Sequence, residues 1–228
     1  MQVARRLAAE GVGTALLVAA VVGSGIMAQR LATDPGVALL ANTIATGGAL
    51  FAILLICGPV SGAHLNPAVT ISLAVAKQLG ARLALGYIVA QVIGAIAGAL
   101  LANAMFELPL ITWSHHARSG TGQWLGEAVA TFGLLGVVIG VGRTRPTSTP
   151  LAVAAFIVAA YWFTSSTSFA NPAVTIGRAF SDTYAGIRPS EIAGFIAAQA
   201  IGATVGALFF SWLVPPVPCR AEPDSKLP

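Results

Sequence analysis

A chain of 228 residues that is 56% hydrophobic and only 9% charged, with a mean hydropathy of +0.82, is not an ordinary water-soluble domain, which carries about 25% charged residues. Its net charge of +4 is scattered over loops and ends and forms no basic face, so nothing in it reads as a nucleic-acid surface. Cys57 lies in an apolar run and Cys219 in the polar tail, which is no disulfide framework.

Crossing a bilayer takes about 20 apolar residues. Six runs qualify in chain order: 7–28, 37–57, 83–104, 124–142, 151–163 extended to about 166, and 192–214. The intervening breaks, 29–36, 107–122, 142–150 and 182–190, are short and polar. The first run lacks the short apolar core and cleavage site of a secretory signal. The proline-rich tail 215–228 carries mixed charges and reads as disordered. Lys and Arg set orientation. With both termini on one side, Arg5, Arg6, Lys77, Arg82, Arg143, Arg145, Arg220 and Lys226 gather there, against Arg30, Arg118, Arg178 and Arg188 opposite. This 8 to 4 split predicts cytoplasmic termini.

The chain is also duplicated. Glu10 and Thr14 recur as Glu127 and Thr131. The run AHLNPAVT at residues 63–70 recurs as SFANPAVT at 168–175, and Gln91 with Gly94 and Gly98 recurs as Gln199 with Gly202 and Gly206. The offsets are 117, 105 and 108 residues, in the same order along both copies. The single domain, 1–214, thus divides into repeats at about 1–104 and 122–214. Each repeat holds three spans, an odd number, so the second enters the membrane inverted. The small-xxx-small pairs allow close helix approach.

Each Asn-Pro-Ala triplet opens a helix-compatible stretch too short to span, 68–76 and 173–179. Pro67 and Pro172 suit the first helical turn, and Asn66 and Asn171 suit the N-cap. The preceding stretches, 58–65 and 165–170, are predicted to be irregular, which is tolerated at membrane depth only around protein or a water-filled cavity. Two half-helices then meet at mid-membrane, each presenting roughly half a positive charge. Cations and protons meet a barrier there, whereas a neutral hydroxylated molecule finds Asn amide donors and loop carbonyl acceptors. Composition and pattern therefore predict an all-α membrane protein with a pore for neutral solutes.

Six spans, SGAHLNPAVT, a second NPA and paired glutamates resemble the aquaporin (major intrinsic protein) family over residues 5–214 or so. The resemblance implies six transmembrane helices plus two re-entrant half-helices in a right-handed bundle, one pore per subunit and a homotetramer. It implies a bacterial-type inner membrane location and no cofactor or metal. The NPA residues Asn66, Pro67, Ala68, Asn171, Pro172 and Ala173 would line the pore, with Glu10 and Glu127 buried and supporting the loops.

The chain departs from that pattern at the outer constriction. Most relatives carry Arg three residues after the second NPA Asn; here it is Val174. Counting from the NPA motifs puts the other filter positions at Thr46, Ala159 and Ser168, all small or medium and none charged. Glycerol facilitators follow the second NPA with Arg and then Asp where this chain has Val174 and Thr175, so the pattern is neither the water-specific nor the usual glycerol one. It predicts a wide neck for water and larger solutes such as glycerol, resembling that of bacterial members that pass metalloid hydroxides such as arsenous acid. Arg178 lies one turn beyond Val174 on the same helix face and is a candidate vestibule residue; an interfacial Arg bound to lipid or loop carbonyls is the competing reading. His64 matches the inner pore mouth, where fixing the loop is the expected role. His115 and His116 share a loop with Trp113 and Arg118, while Trp124, Trp162 and Trp212 fit interfacial anchors. The alternatives are a water-selective channel, a coupled transporter, or a poorly conducting structural member. The midplane carries two Asn where gradient-coupled carriers place ionisable groups, and no nucleophile with a base or ligand cluster suggests an enzyme.

Overall fold

The computed structural model describes residues 2–216; Cys219 and all of the tail from residue 217 on lie outside the described residues. Eight α-helices make up the described fold: α1 (Val3–Leu31), α2 (Pro35–Ser61), α3 (Pro67–Val75), α4 (Ala81–Met105), α5 (Thr121–Thr144), α6 (Thr149–Phe163), α7 (Pro172–Arg178) and α8 (Ile192–Leu213). Among the described residues there is no strand. Six helical segments are long and apolar enough to cross a membrane; the fifth reaches 18 residues only because a 3₁₀ turn at Pro146–Ser148 leads into α6. At 1.5 Å per residue, α6 alone would cover about 22 Å, short of the roughly 30 Å hydrocarbon core.

The helix ends follow from local chemistry. Asp34 caps α2, its carboxylate accepting from Val37 N at 2.9 Å, with Pro35 in the first turn. One boundary differs from expectation. The irregular stretch was predicted to begin at Gly58, but α2 continues through Pro59 to Ser61. A proline so close to a C-terminus removes one internal bond, and the turn remains closed because Gly62 N donates to Gly58 O. Gly62 ends the helix in the left-handed region, φ 91°, where a residue without Cβ carries no steric penalty.

The spans pair in parallel across each repeat, α1 with α4 and α5 with α8, and backbone contacts set their spacing. A Cβ on Gly94 or Gly98 would collide with the carbonyl oxygens of Gly11 and Ala15; on Gly202 it would collide with that of Ala128. The anticipated small-residue spacing therefore brings one helix backbone directly onto the next. With both helix pairs this close, the short α3 and α7 fit between the halves, and α7 reaches back to α4 through Gly177 against Ala95. Gly94→Ala should destabilise the protein by about 1–3 kcal/mol, the usual cost of overpacking. Gly48→Ala adds the same methyl where nothing lies within 4 Å and should leave stability nearly unchanged. Thermal unfolding of both variants in one detergent checks the contrast.

Candidate functional site

Two re-entrant loops, residues 62–66 and 164–171, carry the centre of the molecule. Each is built around one buried carboxyl group. Glu10, wholly buried on α1, accepts from His64 N (2.9 Å), Leu65 N (2.7 Å), Ser61 Oγ (2.6 Å) and Gln91 Nε2 (2.8 Å). In the other half Glu127 accepts from Phe169 N (2.8 Å), Ala170 N (2.9 Å) and Gln199 Nε2 (2.6 Å). Every partner is a donor, which suits the two acceptor oxygens of a carboxylate. The loops need this support, since Ala63, Leu65, Thr167, Ser168 and Ala170 all have φ between 46° and 61°, a region costing a non-glycine residue about 1–2 kcal/mol. Charged-group hydrogen bonds contribute about 1.5–3 kcal/mol each, so the cluster offsets that strain.

The repeat extends further than the obvious motifs. Ser61 Oγ accepts from Ala63 N at 3.0 Å, and Ser166 Oγ from Ser168 N at 3.2 Å. Thr70 Oγ1 accepts from Gln91 Nε2 at 3.0 Å, and Thr175 Oγ1 from Gln199 Nε2 at 2.9 Å. Sequence reasoning gave none of these four a part in supporting the loops. Their signal was available, because Ser61 and Thr70 recur at the same 105-residue offset as the Asn pair.

Asn66 and Asn171 cap α3 and α7 as expected, accepting from Ala68 N (2.9 Å) and Ala173 N (3.0 Å). Their amide nitrogens also cross the interface between the halves. Asn66 Nδ2 donates to Ala170 O and Asn171 Nδ2 to Leu65 O, both at 2.7 Å. Each amide has two N–H groups, so one ties the loops together and one remains. Pro67, Ala68, Pro172 and Ala173 form the first turns.

A cavity of about 680 Å³ runs past these caps and is walled by both halves. Thr46, Ser168 and Val174 lie on its wall, as do Asn66, Asn171 and His64. Ala159 does not. It is exposed on α6, whereas Val153, Ile157 and Tyr161 form the cavity face. Ala159 lies two residues from both Ile157 and Tyr161, about 200° around the helix, on the opposite side. The ungapped count from Asn171 assumed a fixed path through the non-helical residues 164–171, and that path does not bring Ala159 to the wall. Tyr161 brings an aromatic ring where none was expected, and its hydroxyl reaches Thr46 Oγ1 at 3.4 Å. Ser168 Oγ has no hydrogen-bond partner among the described residues.

The ionisable candidates separate by their partners. His64 Nδ1 lies 3.1 Å from Thr70 Oγ1, whose own proton goes to Asn66 O at 2.9 Å. With that proton so placed, Nδ1 would carry the hydrogen of its bond to Thr70. Arg178 is 2% exposed, borders the cavity and stacks on Phe169. His115 is bound to Asp182, Nδ1 to Oδ2 at 3.0 Å and N to Oδ1 at 2.8 Å, and those bonds hold the Asp182 carboxyl below its usual range. Burial pushes His116 down. Among the described residues no three His, Cys, Asp or Glu side chains cluster as metal ligands. Trp124, Trp162 and Trp212 are exposed at span ends.

Comparison with known proteins places the fold in a family. Residues 1–168 match the family described as Major intrinsic protein. The chain is 50% identical over 212 residues to Aquaglyceroporin AqpS of Rhizobium meliloti, covering 93% of this chain and 91% of that one. It is 31% identical to Probable aquaporin AqpM of Archaeoglobus fulgidus, covering 93% and 96%. The crystal structure of the aquaglyceroporin from Plasmodium falciparum shares the fold, with a TM-score of 0.73 at 21% identity over 92% of this chain and 96% of that one. Inverted halves, paired carboxyl anchors and crossed Asn caps around one cavity thus accompany family-level similarity along most of the sequence: the chain belongs to the major intrinsic protein family and is an integral membrane channel, not an enzyme.

Proposed function

We propose that this channel passively conducts water and larger uncharged hydroxylated solutes, glycerol and arsenous acid among them, through a wide neck formed by Thr46, Tyr161, Ser168 and Val174. The observation that carries the reading is Val174, an apolar side chain on the cavity wall in the first turn of α7. A guanidinium there would fill the lumen and hold any solute oxygen tightly; valine leaves space and no charge. The aquaglyceroporin name of a relative at 50% identity supports the same substrate class. Arsenous acid fits because, like glycerol, it presents three hydroxyl groups at neutral charge. The remaining Asn66 and Asn171 N–H groups supply donors at the centre, and the half-helix N-termini repel cations. The channel is read as a homotetramer in a bacterial-type inner membrane with cytoplasmic termini, which sets Val174 towards the outside and His64 towards the inside.

Tyr161 favours a second reading, a water-selective channel, since its ring narrows the wall where a small residue was expected. Stopped-flow volume changes of proteoliposomes in water, glycerol and arsenous acid separate the two. The wide-neck reading predicts flux of all three, and water flux alone overturns it. Val174→Arg should reduce glycerol and arsenous acid flux about tenfold, a barrier increase of about 1.4 kcal/mol, with a smaller loss for water. Tyr161→Ala should raise glycerol flux by no more than about threefold, or roughly 0.7 kcal/mol, if Val174 sets the neck. Under the water-selective reading the same variant would create glycerol flux absent from the parent.

A further inference from the structure

A neck without its arginine raises the question of what supplies positive charge at that mouth. Arg178 lies one helical turn beyond Val174 and borders the same cavity. Its guanidinium is fixed at two points: Nε donates to Ala185 O, and Cζ sits 3.4 Å from the centre of the Phe169 ring. Such stacking holds the plane in place while leaving its edge free.

A second guanidinium has taken the neighbouring acceptors. Arg118, 6% exposed in the loop before α5, donates Nε to Gly186 O at 2.7 Å and Nη2 to Tyr184 O at 3.1 Å. Its Nη1 reaches Ser166 O at 3.5 Å and Thr167 Oγ1 at 3.4 Å. Arg118 thus ties three segments together and uses most of its donors in doing so. The Nε bond to Ala185 is the one hydrogen bond of the Arg178 guanidinium among the described residues, out of five possible donors. Neither guanidinium has a carboxylate within ion-pair distance there: Asp182 pairs with His115, Glu191 pairs with Arg188 and accepts from the backbone N–H of Arg118, and Glu127 is taken up by the N–H groups of Phe169 and Ala170. One arginine holds the loops and the other keeps charge and donors in hand at the wall of the lumen.

We propose that Arg178 is a specificity-determining residue of this channel: its Nη groups dock the oxygen atoms of a small, oxygen-rich solute at the Val174 end of the lumen, and its charge excludes cations there. Set one turn back and flat against Phe169, it leaves the neck open, which an arginine at 174 would not. The substrate-docking half rests on the wide-neck reading above; the cation-excluding half does not. The competing role is a clamp that only holds the Ala185 segment in place.

Arg178→Gln and Arg178→Lys, reconstituted at matched amounts, are compared with the parent for potassium and proton leak under an imposed potential and for the concentration dependence of arsenous acid and glycerol flux. Arg178→Gln should raise the leak about tenfold or more and raise the half-saturating solute concentration about tenfold, the effect of one ordinary contact. Arg178→Lys should keep cations out, since it keeps the charge, but lose solute docking with the planar fork. Parent-like leak and saturation in Arg178→Gln would overturn the proposal. So would equal losses in both variants accompanied by faster hydrogen exchange at 182–188, the signature of a clamp. If Arg178→Gln does not insert, Arg178→Lys decides alone: weaker docking with intact exclusion supports the proposal and unchanged docking contradicts it. A parent that passes only water would sink the wide-neck reading while the leak measurement still tests Arg178.

Discussion

Two buried carboxyl groups hold this molecule's centre in shape. Glu10 and Glu127 gather backbone N–H groups from loops that would otherwise be costly at membrane depth, where no water satisfies them. Once those N–H groups point at the carboxyl, the chain between them turns through left-handed residues, and the carbonyls of Leu65 and Ala170 face the other half. These are the atoms that receive the crossed Asn amides. The caps, the meeting of the two half-helices and the cavity beside them all depend on that arrangement. It also explains why Gly94, Gly98 and Gly202 sit where they do. A carboxyl on α1 can reach both its loop and Gln91 on α4 only if the two helices touch at their backbones.

Much of this was legible in the sequence because duplication makes weak signals redundant. One NPA means little; two, flanked in the same order by Glu-x-x-x-Thr and Gln-x-x-Gly, dictate an inverted repeat. The spans, the caps at Asn66 and Asn171 and the close glycine contacts were accessible for that reason. What escaped was whatever depends on the path of a non-helical segment. The register of α6 relative to Asn171 passes through residues 164–171, several in left-handed conformations, and counting through them placed Ala159 at the wall where Ile157 and Tyr161 stand. The end of α2 differed too: it runs on to Ser61, since Pro59 stands near enough to the helix end to be tolerated where one in the middle would break the helix.

The division of labour at the far mouth follows the same logic of donors and acceptors. A single arginine at the neck would have to hold the loops, face the solute and repel cations together. Here Arg118 spends most of its donors on the loops, Arg178 lies back on Phe169, and Val174 occupies the wall between Arg178 and the Asn171 cap. In the proposed reading the loop rests chiefly on Arg118 and the lumen chemistry on Arg178, so that the neck could widen without unravelling the loop that frames it.

If the paired carboxyls hold the conducting path open, each half needs its own. Glu10→Gln and Glu127→Gln each place an amide N–H against a backbone N–H, leaving a buried donor unsatisfied at about 1–3 kcal/mol. Flux of water and glycerol per inserted molecule, measured side by side for both variants, tests this directly. Both should fall substantially and to a similar extent while the protein still reaches the membrane. Parent-level flux in either variant would contradict it.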